Sequence, residues 1–389
     1  MKPEVRQVKK CVCILLLGCL LCGCGALPSE LEPIPAPVVS LPAPTIPETT
    51  PETTVPPDPI EELLEQLTVE ELVGQLLLAR CSKATALTDL DTFHLGGLVL
   101  FGADFQDETP SSIRATLASY QSGSRVPLLL AVDEEGGTVN RISRYSAFRY
   151  TPFPSLRKSW KAGGLEQILE IEEEKCQLLK ELGLNVNLGP VCDISDDPNA
   201  FMYDRSLGQN AETTAEVISQ IVLLYQQQGV GSVLKHFPGY GNNADTHTGI
   251  AVDSRTLEEL ENRDLVPFAA GIEAGCSAIL VSHTIVQALD EETPASLSPA
   301  VHQYLRQTLG FDGVIVTDDL VMEAITKQYG AGEAAVLAVL AGNDLLCVTD
   351  YAEQYQALLD AVYTGRIDYD TLHNAAYRVL QWKQELGLI

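Results

Sequence analysis

The stretch LKHFPGYGNNADTHTG, from Leu234 to Gly249, gathers a lysine, an aspartate and two of the chain's six histidines behind a short apolar run. Polar residues crowded where a buried strand would end suit an active-site loop, because the strand holds them rigidly and the loop lets them converge. Asp245 stands two residues before His247. A carboxylate at that spacing can bond the imidazole, fix its orientation and raise its basicity, so that the ring gives up a proton and takes one back near neutral pH. The run VIVTDDLVM offers the complementary part. Asp318, a carboxylate at the end of a buried strand, could attack a carbon centre, whereas Asp319 is expected to point to the other side as a helix cap or scaffold residue. Taken singly, each signal has a plain alternative: an ordinary turn at Asp245 and His247, a cap at Asp318.

The elements that must position these residues are legible from residue 60 onward, where short apolar runs alternate with longer stretches of helical period. Eight such runs occur: LLLAR (76–80), GLVLF (97–101), LLLAVD (128–133), LNVNLGPVCD (184–193), SVLKHF (232–237), AILVSH (278–283), VIVTDD (314–319) and DLLCV (344–348). Eight strands separated by helices predict an α/β chain folded as a (β/α)8 TIM-type barrel over residues 60–389. An open doubly wound sheet is the rival, because periodicity does not show closure. Between the runs, GGLEQILEIEEEKCQLLKELGL places Leu165, Ile168, Leu169, Ile171, Leu178, Leu179 and Leu182 near one helical face and the acids elsewhere. Polar residues end the apolar runs at Asp133, Asp193, Lys235 with His236, His283 and Asp318. In a barrel, those ends form the catalytic face. If they converge, the pocket holds Asp133, Asp193 and Asp318 as anions, and Lys235, Arg141 and Arg205 as cations.

The first sixty residues are of another kind. MKPEVRQVKK is basic and CVCILLLGCLLCG is apolar but short for a membrane span, which predicts a signal peptide over residues 1–23. LCGCGA resembles a bacterial lipobox, with Cys24 as the lipidated residue and Cys19 as the second choice. Residues 24–59, rich in proline, threonine and glutamate, read as the lipidated cysteine and an extended tether. The mature protein is then expected to be exported and membrane-anchored, facing the extracellular or cell-wall side. Five of the ten cysteines, 11, 13, 19, 22 and 24, lie in the signal peptide and lipobox; Cys81, Cys176, Cys192, Cys276 and Cys347 are scattered, mostly within apolar runs, and are expected to be small core residues. The formal charge of −28 includes Lys2, Arg6, Lys9, Lys10 and Glu4, a net +3 in the leader, so the mature chain carries −31. Nucleic acid is excluded as a partner on that charge, and a neutral or weakly charged substrate is favoured. A monomer is expected.

DEEGGTVNR (133–141), DRSLG (204–208), KHFPGYG (235–241), DTH (245–247) and VTDDLVM (316–322) come in the order found in glycoside hydrolase family 3, and the set most resembles its β-N-acetylhexosaminidases. The resemblance covers nearly all of residues 60–389. It implies that Asp318 is the nucleophile of a covalent glycosyl-enzyme and that His247, partnered by Asp245, is the general acid/base. Asp133, Arg141, Arg205, Lys235 and His236 match positions that bind the non-reducing sugar. Glu134, Tyr240 and Leu207 stand where glutamine, histidine and phenylalanine are common, and Tyr240 could alter loop packing or the next subsite. Many family members take a glutamate acid/base from a second domain. Here the last apolar run ends at 348 and the chain at 389, so a single catalytic domain without that second α/β domain is expected, and with it an acid/base drawn from the barrel.

The implied activity is retaining hydrolysis of terminal non-reducing β-N-acetylglucosamine, with peptidoglycan fragments as the expected source and the membrane met through the lipid anchor. No cofactor and no metal is expected. A phosphorylase or β-glucosidase on the same scaffold is an alternative, and a non-catalytic sugar-binding surface lipoprotein is one of another class; retention of Asp318, Asp245 and His247 together argues against the last.

Overall fold

The computed structural model describes residues 58–243 and 249–389. The signal peptide, Cys24, the tether, Asp245 and His247 lie outside the described residues.

The apolar runs form strands because Leu, Val and Ile pack on both faces of a sheet that is covered by helices outside and filled by side chains inside. β1 (Leu77–Arg80), β2 (Gly97–Leu100), β3 (Leu129–Val132), β4 (Val186–Asn187) and β5 (Gly231–Phe237) follow one another. A short β6 (Val252–Asp253) precedes β7 (Ala278–Val281), β8 (Ile285–Val286), β9 (Val314–Thr317) and β10 (Leu346–Val348). The main sheet is parallel, in the order β10, β1, β2, β3, β4, β5, β7, β9. A parallel bridge from Val316 to Leu345 joins the remaining edges, so the ring closes as a TIM-type barrel and the open doubly wound sheet is excluded. β6 and β8 pair outside the ring.

Two expectations need correction. The run 184–193 yields only the two residues of β4, because Pro190 has no N–H to donate and Gly189 turns back to bond the Asn187 carbonyl; pairing resumes in a single bridge from Val191 to Lys235. The helix Leu156–Leu182 is broken at Gly163 and Gly164, and beyond the break Ile168, Leu179 and Leu182 are buried as the period requires. Its acids are not all outside. Glu172 is buried on the same face, 2.6 Å from the buried Lys175 Nζ and accepting a 2.7 Å bond from the Tyr225 hydroxyl. Residues 81, 176, 192, 276 and 347 are buried free thiols, as expected of core cysteines.

Leu78, Val99, Leu129, Val186, Val233, Leu280 and Val316 fill the barrel interior, and Trp382 and Val379 of the final helix Tyr369–Glu385 pack with them. The next residue, Lys383, is fully buried, with its ammonium 2.6 Å from Gln75 Oε1, and burial pushes its pKa down to about 7 from 10.5. The folded chain therefore releases this proton near pH 7 while the unfolded chain keeps it to about pH 10. The unfolded state binds more protons across that window, so this group's contribution to stability rises with pH there. Lys383→Met should stabilise the protein most below pH 7, and the gap to wild type should shrink by up to roughly 4 kcal/mol toward pH 10. Paired denaturation curves across that range check it; a constant gap would exclude the titration of Lys383.

Candidate active site

The long connections after β3, β4 and β5 leave from the C-terminal ends of the strands, and a cavity of about 590 Å³ opens there. Asp133 follows β3 directly. Its carboxylate meets the Lys235 ammonium, and the Arg141 guanidinium lies 3.8 Å away. Lys235 and His236 are adjacent in β5, where simple alternation would send them to opposite faces. Both line the cavity, because the register against β7 slips between Leu234 and Phe237. Asp193 Oδ2 accepts from the His236 backbone N–H at 3.0 Å and lies 2.7 Å from Nδ1; Oδ1 accepts from the Tyr240 N–H at 2.7 Å. Asp193 is thus buried behind the histidine and orients it, instead of lining the cavity as an anion.

Glu135 is the residue that sequence reasoning missed. It is buried, accepts two bonds from Arg205 at 2.9 and 2.7 Å, and lies 2.7 Å from Lys235 Nζ. Burial opposes its charge, but the Arg205 and Lys235 cations outweigh burial and hold its carboxyl well below the usual range. Desolvation works likewise against Arg205 and Lys235, and their carboxylate partners raise both. The signal was present in DEEGG: two buried cations need more than Asp133 to neutralise them. Glu134 next to it turns away from the cavity and accepts from the N–H groups of Arg141 at 2.7 Å, Ile142 at 2.8 Å and Ser143 at 3.2 Å. It therefore shapes the loop that presents Arg141. Gly136 must be glycine, since its φ is +99° and a Cβ would lie 2.1 Å from the Pro154 carbonyl oxygen.

Glu135→Ala should cost about 3–5 kcal/mol in stability, since it strands buried charge on Arg205 and Lys235. If Arg205 and Lys235, the two cations it holds, bind substrate without reacting, Glu135→Gln, with the same shape, raises KM more than it lowers kcat. Melting curves and steady-state kinetics test the pair; an unaltered KM in the glutamine variant would show that Glu135 does not position the cations.

Asp318 and Asp319 follow β9, which ends at Thr317, so strand alternation no longer separates them and both line the cavity. The expectation that Asp319 points elsewhere is thus corrected, while its bonds are those of a scaffold: Oδ1 accepts from the Val321 N–H at 3.1 Å and Oδ2 from the Thr349 hydroxyl at 2.8 Å. Burial raises its pKa. Asp318 Oδ1 accepts from the Asp319 N–H at 2.9 Å. His283 is buried and does not line the cavity. Its Nε2 lies 3.0 Å from the Asp319 carbonyl, which can only accept, and its Nδ1 lies 2.7 Å from Ser296 Oγ, so it braces the segment that carries Asp318.

Asp245 and His247 belong to the connection after β5, and its described stems are anchored. Arg255 donates to the Gly239 carbonyl at 3.0 Å and to Asp253 at 2.9 Å, while Ala251 accepts from the Ile285 N–H at 2.9 Å. The cavity is also lined by Tyr240, whose ring stands edge-on to His236 at 5.2 Å, and by Phe101 and Arg80. Arg80 ends β1 and obeys the rule of polar strand ends, which could have found it.

The family profile described as Glycosyl hydrolase family 3 N terminal domain matches residues 68–382. The chain is 31% identical over 312 residues to a beta-hexosaminidase of Nitrosomonas eutropha, covering 75% of this chain and 89% of that protein. It is 30% identical over 327 residues to beta-hexosaminidase LpqI of Mycobacterium tuberculosis, covering 81% and 82%. Among solved structures, a glycoside hydrolase family 3 beta-N-acetylglucosaminidase from Paenibacillus matches with a TM-score of 0.77 at 34% identity, over 83% of this chain and 63% of that one. A beta-glucoside phosphorylase, BglX, shares the fold with a TM-score of 0.76 at 23% identity, over 85% and 61%.

Proposed function

Because the chain belongs to glycosyl hydrolase family 3, we propose that its cavity removes terminal non-reducing β-linked N-acetylglucosamine with retention of configuration. The Asp318 carboxylate attacks the anomeric carbon as the bond to the leaving oxygen breaks, and His247, held by Asp245, gives that oxygen its proton. Neutral His247 then takes a proton from water as the water oxygen attacks the same carbon and frees Asp318. The observation that carries the reading is the meeting of Asp318 with Asp133, Arg141, Arg205, Lys235 and His236 in one cavity. Ion-paired donors and acceptors fixed in this way select sugar hydroxyl and acetyl groups. The names of the two hexosaminidase relatives support the choice of sugar.

Nitrophenyl β-glycosides of N-acetylglucosamine, N-acetylgalactosamine and glucose, followed in phosphate and in a phosphate-free buffer, test this. Preference for the first sugar at equal rates in both buffers is expected. A faster reaction in phosphate, with glycosyl phosphate as product, would favour phosphorolysis, for which a histidine acid/base repels the incoming anion less than a carboxylate does. No turnover of any glycoside would leave a sugar-binding protein.

The placement of the enzyme follows from its leader. Anchored by lipid on Cys24 and held off the membrane by the tether, the domain would act on peptidoglycan fragments at the outer side. Cys24→Ala should release activity from the membrane fraction undiminished, because Cys24 precedes in sequence all the residues that form the barrel. Unchanged retention would move the lipid to Cys19 or end the lipoprotein assignment.

A further inference from the structure

Four polar side chains behind the loop after β3 do not line the 590 Å³ cavity: Glu172 and Lys175 on the helix Leu156–Leu182, Tyr225 on the helix Ala211–Gln228, and Asn187 in β4. Each is no more than 3% exposed. The Lys175 ammonium lies 2.6 Å from Glu172 Oε1, the Tyr225 hydroxyl donates to Glu172 Oε2 at 2.7 Å, and Asn187 Nδ2 donates to the Tyr225 oxygen at 2.9 Å. They form one unbroken chain of bonds. Helices that cover a parallel sheet meet it chiefly through apolar side chains, as Ile168, Leu179 and Leu182 do on this same helix. An ion pair in that position stabilises no more than apolar residues of its volume, because desolvating two charges cancels most of their attraction. Packing alone therefore does not account for it.

Both ends of the chain reach the backbone of DEEGG. Asn187 Oδ1 accepts from the Glu134 N–H at 3.0 Å and Asn187 Nδ2 donates to the Glu134 carbonyl at 3.3 Å, while Lys175 Nζ donates to the Glu135 carbonyl at 3.2 Å. Three backbone groups of two neighbouring residues are thus fixed from behind. Their side chains and that of Asp133 face the other way in function: Asp133 and Glu135 neutralise Lys235, and Glu135 neutralises Arg205. We propose that Lys175 is a positioning residue for the sugar site, whose ammonium, held by Glu172, fixes the Glu135 peptide and so sets where the Asp133 and Glu135 carboxylates meet Lys235 and Arg205. The inference rests on the sugar-binding reading of the cavity above and adds to it residues that never touch the sugar. A gap of only about 10 Å³ lies among Glu172, Lys175, Glu135 and Arg205. That is about the space of one water, so solvent does not replace a missing partner there.

The test compares the full chain with the double variant Glu172→Gln, Lys175→Met, which removes both charges together and strands neither. Gln keeps an acceptor for Tyr225, and Met keeps the length of lysine without its donor. The double variant should melt within a few degrees of wild type, because losing a buried pair as a unit is close to neutral. KM for 4-nitrophenyl β-N-acetylglucosaminide and the Kd of N-acetylglucosamine by calorimetry should both rise about tenfold, the scale of one charge-assisted hydrogen bond. Turnover should fall by less than about threefold, since the segment of Asp318 is braced separately by the Val281 carbonyl and by His283. A role in packing alone would move the melting temperature and leave KM and Kd as they are. Unchanged constants therefore overturn the proposal, as does a fall confined to kcat. Tyr225→Phe cuts the chain at its middle without removing a charge, and should raise both constants about threefold, as one neutral hydrogen bond allows. It decides the matter if the double variant does not fold, and unchanged constants there overturn the proposal too. Wild type that neither turns over nor binds the sugar would remove the reading of the cavity and this one with it, whereas variants that match an active or sugar-binding wild type end this one alone.

Discussion

Asp318→Asn should lower kcat on 4-nitrophenyl β-N-acetylglucosaminide by about four to six powers of ten, the loss seen when a nucleophile is removed from an intact site. The variant should remain folded. The Asp318 N–H donates to the Val281 carbonyl at 3.0 Å, and the segment after it is tied by Asp319 to Thr349 and Val321 and by His283 to the Asp319 carbonyl. None of these bonds needs charge on Asp318. N-acetylglucosamine should still bind, because Asp133, Arg205 and Lys235 keep their partners. With the wild-type enzyme, a 5-fluoro glycoside with a good leaving group should leave a covalent label on Asp318. Fluorine near the ring oxygen disfavours the oxocarbenium-like transition states of both steps, and the leaving group keeps the first accessible. Mass spectrometry of a digest locates the label. A label on Asp319 or Asp193 would show the wrong carboxylate had been assigned, and inverted product without any label would end the covalent mechanism.

His247→Ala should cost about two to four powers of ten on a disaccharide, the contribution of a positioned proton donor. The loss should be smaller with a nitrophenyl leaving group, which departs with little protonation. That asymmetry separates a proton donor from a binding residue: removing a sugar contact harms both substrates alike, whereas removing the donor harms the one whose leaving oxygen needs the proton. Asp245→Asn should show the same asymmetry in weaker form, since amide for carboxylate lowers the basicity of the ring without removing it. Equal losses on both substrates in His247→Ala would return the acid/base role to another residue.

Much of the frame was legible in the chain itself. Short Leu, Val and Ile runs between amphipathic stretches are local patterns, and local patterns select strand or helix wherever a face is buried; all eight runs became ring strands. The rule that polar residues end the runs brought Asp133, Lys235, His236 and Asp318 to one cavity, because parallel strands share a direction and their C-terminal ends must lie together. Closure was not legible. It depends on a bridge between Val316 and Leu345 and on the pairing of β10 with β1, the second a contact across most of the chain that no window of sequence contains. Nor were the roles of neighbours. Glu134 and Glu135 are adjacent and chemically alike, yet one caps backbone N–H groups and the other neutralises Arg205 and Lys235 from distant connections. Asp193 and His283 obey the strand-end rule as well as Asp133 does, but the first was turned behind His236 and the second under Asp319. Residue type and spacing state which chemistry is affordable; which carboxylate meets which cation is decided by burial, since a charge taken from water must find its partner wherever the fold has placed it.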